Sequence, residues 1–334
     1  MYHKYLKNKE KIFAVAPMMD WTDRHCRYLH RQLTEHALLY TEMVVADAVI
    51  HGDRERLIGF DPAEHPVALQ LGGCEPEKLA KAAIIGAAMG YDEINLNVGC
   101  PSDRVKSGRF GACLMFEPEL VGQCVRSMKD AVSVPVTVKC RIGVDDQDSE
   151  QALDTIASHV FDAGADALWV HARKAWLQGL SPKQNREIPP LDYDRVFRLK
   201  RKYPNQFIGI NGGIEDLHHA AALAGPVDGV MLGRAAYQNA GLLAGVDALF
   251  YGTAAKSVDW NRVRDAMMDH ARCHIAAGGR VIHVTRHMVG LFHGLPGSRR
   301  YRQILSSEAS LPGAGPDVIE KAFAAMNFEN MLAA

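Results

Sequence analysis

Eight short apolar runs lie between residues 12 and 232, and most of them are separated by segments with helical periodicity. Short strands of this kind are typical of a parallel sheet that is buried on both faces. Eight such units in about 240 residues match the size and count of a closed α/β barrel. The sequence therefore predicts a (β/α)8 TIM barrel whose strands cover residues 12–16, 37–43, 67–71, 93–96, 135–139, 166–171, 207–210 and 228–232.

An open, doubly wound sheet is the alternative α/β architecture. A dinucleotide-binding sheet of that kind normally carries Gly-x-Gly-x-x-Gly after its first strand. Here the first predicted strand ends in Pro17-Met18-Met19-Asp20 instead. The closed barrel is therefore favoured.

The pattern changes after Gly252, where strand-like runs stop and the remaining sequence is helical. We therefore expect a barrel domain over residues 1–250 and a small all-helical domain over residues 251–334. Residues 256–303 contain nine Lys or Arg against three Asp or Glu, although the whole chain has a formal net charge of −1. This excess fits a solvated helix face, or a surface that contacts a nucleic-acid backbone and releases its counterions.

The seven cysteines indicate a reducing compartment. Their number is odd and no two are spaced as Cys-x-x-Cys, so neither a disulfide framework nor a zinc site is expected. No apolar run approaches the roughly 20 residues that span a bilayer. The first eleven residues are polar and rich in lysine, unlike a secretory signal. We expect a cytoplasmic protein without a metal or a membrane contact.

A single cysteine marks the end of the fourth predicted strand, in the stretch Asn97-Val-Gly-Cys-Pro-Ser102. Gly99 lets the chain turn, and Pro101 restricts the backbone of Cys100 before it. In a TIM barrel, function sits at the carboxyl ends of the strands. Cys100 is therefore a candidate catalytic thiol, and a cysteine that only packs is the alternative.

The last two predicted strands end in glycines that suit an anion. Gly212 and Gly213 follow the seventh strand, and Gly233 follows the eighth. Backbone N–H groups in such turns, ahead of helix starts, form a nest for a phosphate, and Arg234 adds a charge-assisted contact. Glycines that serve only the tight turns are the alternative.

The other strand ends suit the ring system of flavin mononucleotide. The Met18-Met19 turn offers an apolar bed, and Gln70 offers hydrogen bonds to the pyrimidine edge of the ring. Lys139 offers a fixed positive charge, which favours an anionic reduced flavin. His171 contacts either the phosphate or the substrate, and the sequence leaves both roles open.

These motifs resemble those of a known family. The stretch from Asn97 to Ser102, followed by Val105, Gly108 and Gly111-Ala-Cys-Leu114, is similar to the signature of tRNA-dihydrouridine synthases. Segments 18–27, 138–143 and 211–213 match that family in order and spacing. Segment 171–190 resembles the bacterial A-type subfamily in particular. The resemblance covers essentially the whole chain.

The resemblance implies an FMN-dependent enzyme that uses NADPH to reduce the C5–C6 bond of D-loop uridines in tRNA, at positions 20 and 20a. It implies a hydride to C6 and a proton from Cys100 to C5. A monomer is expected. The residues implied to bind FMN are Pro17, Met18, Met19, Gln70, Lys139, His171, Asn211, Gly212, Gly213, Gly233 and Arg234. The residues implied to bind tRNA are Asn97, Lys183, Arg186, Arg299 and Arg302.

Two other functions share part of these features. An FMN-dependent reductase of a free pyrimidine or a related small molecule needs the same flavin groups but not the basic helical segment. A non-catalytic tRNA-binding protein needs the basic segment but no flavin. The sequence contains no nicotinamide motif, so the expectation of NADPH rests on the resemblance alone.

Overall fold

Eight parallel strands close into a barrel in which each strand pairs with the next and the last pairs with the first. The computed structural model describes residues 1–102, 108–255 and 257–326, so Val105 and Lys256 lie outside the described residues. The predicted TIM barrel is confirmed. The strands are β1 Ile12–Val15, β2 Leu38–Val45, β3 Val67–Gly72, β4 Glu93–Val98, β5 Val136–Arg141, β6 Ala167–His171, β7 Phe207–Asn211 and β8 Gly229–Leu232.

Helices follow most of the strands and make up the rest of the regular structure. Several begin at an aspartate that accepts backbone N–H groups of the first turn, as Asp23, Asp148 and Asp216 do. Within the described ranges, none has the length and apolar character that crossing a bilayer requires. The helices are α1 Tyr2–Asn8, α2 Arg24–Leu33, α3 Ala46–His51, α4 Arg54–Ile58, α5 Pro76–Ala88, α6 Pro118–Ala131, α7 Ser149–Asp162, α8 Tyr193–Lys202, α9 Leu217–Ala224, α10 Arg234–Gln238, α11 Val246–Tyr251, α12 Trp260–Ala276, α13 Val281–Met288, α14 Ser298–Gln303 and α15 Asp317–Ala324.

The chain divides into two compact units. The barrel unit comprises residues 1–19 and 37–233, and the helical unit comprises residues 20–36 and 234–334. The helical unit thus includes α2, which lies early in the sequence, as well as α10 and α11. The functional division at residue 250, with FMN on one side and tRNA on the other, stays a prediction.

The core of the helical unit contains an aromatic cluster. Phe292 meets Trp260, Tyr301 and Phe323 in edge-on pairs with ring centroids 4.8, 4.9 and 5.5 Å apart. Edge-to-face pairs at these distances add to the gain from burial alone. They connect α12, α14 and α15 around one buried ring.

The interior of the barrel is filled by side chains from alternate positions of each strand. Trp169 of β6 is the largest of them and is fully buried. A Cβ on Gly209 would lie 2.1 Å from its indole, and a Cβ on Gly229 would lie 2.8 Å from it. Glycine is therefore required at both positions because the indole occupies the space that a side chain would need.

Helix α1 brings an aromatic side chain to the amino ends of the strands. Tyr2 is buried and packs edge-on against Phe207, with the ring centroids 4.6 Å apart. Its neighbours Tyr5 and Leu6 pack against the same apolar cluster. The segment is polar and rich in lysine, and this composition does not reveal the three side chains, Tyr2, Tyr5 and Leu6, that pack on the barrel.

A carboxylate lies at the start of β4, inside this apolar end of the barrel. Glu93 is fully buried and accepts hydrogen bonds from the hydroxyls of Tyr2, Tyr40 and Thr137. Burial raises its pKa to about 7, and the three hydroxyl donors oppose that rise. The folded protein therefore holds a proton here over a pH range in which the unfolded chain has released it.

We expect Glu93→Gln to change the pH dependence of stability. Between pH 4.5 and 7 the wild type loses stability as pH rises, because only its unfolded state has released the glutamate proton, and the loss is complete above pH 7. The variant lacks this loss. The difference in unfolding free energy, variant minus wild type, should grow by about 3 kcal/mol from pH 4.5 to 8 in urea titrations.

Glu215→Gln is the matched control, because Glu215 is exposed. Its difference from the wild type should stay constant over the same range. A constant difference for Glu93→Gln as well would contradict the assigned titration.

Candidate active site

The Cys100 loop is held by one side chain. The amide oxygen of Asn97 accepts the backbone N–H of Gly99 at 3.0 Å and that of Cys100 at 2.9 Å. On the other side, Nε of Arg141 donates to the carbonyl of Gly99 at 3.2 Å. The Cys100 thiol is partly exposed and lies 3.5 Å from the hydroxyl oxygen of Ser102. The structure thus presents the thiol on a fixed turn at the carboxyl end of β4.

Gln70 lies beside this loop on β3. Its Oε1 accepts from Nδ2 of Asn97 at 2.8 Å, and its backbone N–H donates to Thr41 at 3.0 Å. Gln70 is 1% exposed and Asn97 is 8% exposed. The structure therefore places Asn97 in a mainly internal network, and its role as a tRNA contact stays a prediction.

Lys139 lies on β5, directly across the ladder from Asn97. Its ammonium group donates to Oδ1 of Asn211 on β7 at 3.0 Å, and Asn211 in turn donates to the carbonyl of Met231 at 2.7 Å. Burial, followed by the charge of the neighbouring Arg141, lowers the pKa of Lys139 to about 7. An anionic ligand at this end of the barrel would reverse part of that shift, since it favours the charged amine.

His171 ends β6 as a buried imidazole. Burial, followed by the charges of Arg141 and Lys139, lowers its pKa well below the ordinary range, so the ring is neutral. In the part of the chain that the structure describes, its Nε2 has no hydrogen-bond partner. A buried polar atom without a partner costs about 1–3 kcal/mol, and a ligand that supplies the missing bond recovers it.

The glycines predicted to bind phosphate lie next to His171. Gly212 and Gly213 have φ angles of +114° and +65°, which favour glycine. A Cβ on Gly212 would lie 2.5 Å from the His171 ring. A Cβ on Gly233 would meet nothing closer than Met18, 3.8 Å away, so the space beside Gly233 is open. Arg234 directly follows it as the first residue of α10.

The remaining predicted flavin residues, Pro17 and Met19, lie in the turn after β1, where Pro17 is half-buried and Met19 is exposed. Met18 between them is half-buried. The turn thus offers the apolar surface that the sequence predicted. Its contact with a flavin stays a prediction.

The segment after β6, residues 172–190, is fastened to the barrel mouth. One guanidinium nitrogen of Arg141 donates to the carbonyls of Lys174 and Asn185, at 3.3 and 3.0 Å. The buried Asn185 side chain accepts the N–H of Trp176 at 2.7 Å and donates to its carbonyl at 2.8 Å. Arg141 therefore connects the Cys100 loop to this segment.

Four of the predicted tRNA contacts are exposed cations. Lys183 and Arg186 lie in segment 172–190 of the barrel unit. Arg299 and Arg302 lie on α14 of the helical unit, where Nε of Arg302 donates to the carbonyl of Ser298 at 3.3 Å. The structure places all four where a polyanion can reach them, within their own units.

Several residues that hold this site together were not predicted from the sequence. Asn95 and Thr137 lie inside the barrel below Gln70 and Asn97, and Asn185 organises segment 172–190. A signal for Asn95 was present in the sequence, because Glu93, Asn95 and Asn97 are polar at every second position of a strand. Such alternation indicates that a polar face points into the barrel.

Comparison with known proteins decides the family. A family profile described as dihydrouridine synthase (Dus) matches residues 14–327. The chain belongs to the dihydrouridine synthase family. A protein of Shewanella oneidensis named tRNA-dihydrouridine(20/20a) synthase is 54% identical over 95% of this chain and 94% of its own length. Proteins of the same name from Vibrio parahaemolyticus and Escherichia coli strain K12 are 52% and 54% identical over 93% of this chain, and over 95% and 90% of their own lengths.

Dihydrouridine synthases are flavin-dependent oxidoreductases, and the barrel mouth fits a flavin. The groups there are the amine of Lys139, the amide of Gln70 and the turn at Gly212 and Gly213, whose φ angles lie in the left-handed region. Nε2 of His171, which has no partner within the described ranges, and the open space beside Gly233 are the features that a bound phosphate-bearing ligand would use.

We expect His171→Leu to weaken flavin binding without destabilising the flavin-free protein. The substitution removes a buried polar atom that lacks a partner, so the melting temperature of the flavin-free protein should not fall. Loss of the bond to the ligand should raise the flavin Kd about tenfold or more. Quenching of flavin fluorescence measures this Kd.

His159→Leu is the control, because His159 lies on α7 and bonds within its own helix to the carbonyl of Thr155. It should leave the flavin Kd unchanged. An unchanged flavin Kd for His171→Leu would show that this imidazole does not contact the cofactor.

Proposed function

We propose that this protein is a tRNA-dihydrouridine(20/20a) synthase, which reduces the C5–C6 bond of uridines 20 and 20a in the tRNA D-loop. The relatives that carry this name match it over almost their whole length. One observation carries the proposal: a cysteine held by Asn97 at the mouth of a barrel that also presents Gln70, Lys139 and His171, whose Nε2 has no hydrogen-bond partner among the described residues.

The proposed cofactor is FMN, with NADPH as its reductant. When bound, FMN supplies the hydride that C6 of the uridine accepts. Gln70 and Lys139 would serve the pyrimidine edge of the ring, and the charge of Lys139 would stabilise the negative charge that reduction creates. The residues that would hold the phosphate are Asn211, Gly212, Gly213, Gly233 and Arg234 together with His171, and Pro17, Met18 and Met19 would form the apolar bed.

Cys100 would act as the general acid. Saturating the C5–C6 bond needs a proton at C5 as well as a hydride at C6, and a positioned thiol can supply that proton. The bonds from Gly99 and Cys100 to Asn97 fix the backbone on which the thiol is carried. Arg141 supports the same turn from the other side through the Gly99 carbonyl.

Binding of tRNA would rest mainly on shape and on the phosphate backbone. The target base lies within folded RNA, so it must turn out of the stack to reach Cys100. Lys183 and Arg186 on segment 172–190, and Arg299 and Arg302 on α14, are exposed cations that suit phosphate contacts. We also propose that the enzyme is cytoplasmic, because its substrate is found there, and that it is a monomer.

We expect Cys100→Ala to abolish most dihydrouridine formation while keeping the flavin. The thiol is proposed to donate the proton at C5, and removing a general acid costs about 10²–10⁴-fold in rate. Flavin content and NADPH oxidation in the absence of tRNA should match the wild type. Mass spectrometry of tRNA fragments after single turnover measures the yield.

Cys74→Ala is the control, since Cys74 is another partly buried free thiol of the barrel unit. It should reduce uridine at the wild-type rate. A wild-type yield from Cys100→Ala would remove the acid role from this residue.

We expect Arg299→Ala and Arg302→Ala each to weaken tRNA binding without loss of flavin. Each change removes one cation that can neutralise a phosphate, so the slope of log K against log salt should fall by about one. Filter binding at several salt concentrations measures the slope.

Lys321→Ala is the control, because Lys321 is an exposed cation of the helical unit that pairs with Asp317. It should leave the slope unchanged. Wild-type affinity and slope in both arginine variants would exclude α14 from the tRNA interface.

A further inference from the structure

A continuous chain of side-chain hydrogen bonds runs inside the barrel from Glu93 to the Cys100 loop. Its members lie on β3, β4 and β5 at positions that face the interior. In order, Thr137 Oγ1 donates to Glu93, Asn95 Nδ2 donates to Thr137 Oγ1 at 2.8 Å, Gln70 Nε2 donates to Asn95 Oδ1 at 2.8 Å, and Asn97 Nδ2 donates to Gln70 Oε1 at 2.8 Å. The chain ends where Asn97 Oδ1 accepts the N–H groups of Gly99 and Cys100.

The direction of this chain is set at both ends. At the upper end, backbone N–H groups only donate, so Asn97 must turn its oxygen toward Cys100 and its nitrogen toward Gln70. At the lower end, Glu93 is ionised above its pKa of about 7, and the carboxylate then has no proton to donate and accepts from the hydroxyls of Tyr2 and Tyr40. The single hydroxyl hydrogen of Thr137 therefore points to Glu93, and its lone pair is left for the amide of Asn95. The two ends require the same orientation of every amide between them.

We propose that Thr137 and Asn95 are positioning residues for the active site: through this chain they fix which way the Gln70 amide faces and how firmly Asn97 holds the Cys100 loop. The inference rests on the proposed function. Neither residue reaches the carboxyl ends of the strands, where a ligand would bind. Asn95 lies before Asn97 on β4, and Thr137 lies before Lys139 on β5. Their effect on the reaction is therefore indirect.

The orientation of Gln70 matters because an amide has different atoms at its two ends. A reversed Gln70 would set its oxygen against Oδ1 of Asn95 and its NH2 group against that of Asn97, and the mismatch would leave buried polar groups unpaired. A reversed Asn97 would direct its NH2 group at the N–H groups of Gly99 and Cys100 and release the turn. Since misplacing a reacting group by about 1 Å can cost 10²-fold in rate, a loose turn impairs the thiol without removing it.

Thr137→Val tests the proposal, with Thr137→Ser as its matched control. Valine keeps the shape of threonine but ends the chain, because it neither donates to Glu93 nor accepts from Asn95. Serine keeps the hydroxyl and loses a methyl group. A role in packing alone predicts that serine is the more harmful change, whereas the hydrogen-bond role predicts the reverse.

The first readout needs neither flavin nor tRNA. In the flavin-free protein, amide hydrogen exchange at Gly99 and Cys100 should be at least tenfold faster in Thr137→Val than in the wild type, and Thr137→Ser should match the wild type. Equal exchange in Thr137→Val and the wild type would overturn the proposal. Faster exchange in both variants would overturn it too, because packing would then explain the effect.

The second readout uses the loaded enzyme. Thr137→Val should lower kcat for uridine reduction about tenfold at an unchanged KM for tRNA and shift the flavin absorption spectrum, whereas Thr137→Ser should do neither. An unchanged kcat and spectrum in Thr137→Val would overturn the proposal. If the wild type itself forms no dihydrouridine, the proposed function fails while the exchange result still stands.

A measurement on the wild type covers the case in which Thr137→Val does not fold. The side-chain NH2 groups of Gln70, Asn95 and Asn97 should be protected from solvent exchange in nuclear magnetic resonance spectra, since each donates within the barrel. Rapid exchange of the Gln70 and Asn95 groups would contradict a fixed chain.

Discussion

The amide of Asn97 is the contact on which the rest of this site depends. Its oxygen holds the N–H groups of Gly99 and Cys100, and its nitrogen holds Gln70. One side chain thus bonds both to the loop of the proposed acid, Cys100, and to the proposed flavin contact, Gln70. The orientation of the Asn97 amide therefore determines how both are held. A buried amide can bond in both directions only where its oxygen meets donors and its nitrogen meets acceptors. A polar group without a matching partner in the barrel interior would destabilise the fold.

The positive charge of the barrel mouth complements this polar chain. Lys139 and Arg141 adjoin Asn97 and the Cys100 loop, and both have pKa values lowered by burial, to about 7 and about 10. These shifts mean that burial disfavours the charged forms of both side chains in the folded protein without a ligand. An anionic ligand would favour both charged forms, so the barrel mouth is suited to binding an anion. His171 adds a buried polar atom, Nε2, that has no hydrogen-bond partner in the described part of the chain.

The sequence was sufficient for the barrel because closed parallel sheets leave a plain signal, namely short apolar strands between helices. It also predicted that Gln70, Lys139, His171 and Asn211 lie at one mouth, since the carboxyl ends of all strands meet there. It did not predict that Thr137 and Asn95 bond to each other, because that depends on the register between strands 42 residues apart. Alternation of polar residues along β4 shows the inward face but not its partners.

Other parts of the structure have no local signal of this kind. Residues 20–36 belong to the helical unit although they follow the first strand directly, and nothing in their composition separates them from a barrel helix. Helix α1 is short and rich in lysine, and only the burial of Tyr2 against Phe207 shows that it packs on the barrel. In both cases contacts between residues distant in sequence decide the outcome, and local propensity is a weak guide to them.

The stereochemistry of reduction tests the central claim, that Cys100 is held as the proton donor at C5, most directly. The reaction can be run in deuterium oxide with protiated NADPH and unlabelled tRNA, and the product nucleoside analysed by nuclear magnetic resonance. A thiol held on the turn opposite the hydride source predicts solvent deuterium at C5, on the face opposite the hydrogen added at C6. Addition of both hydrogens on one face would contradict the account.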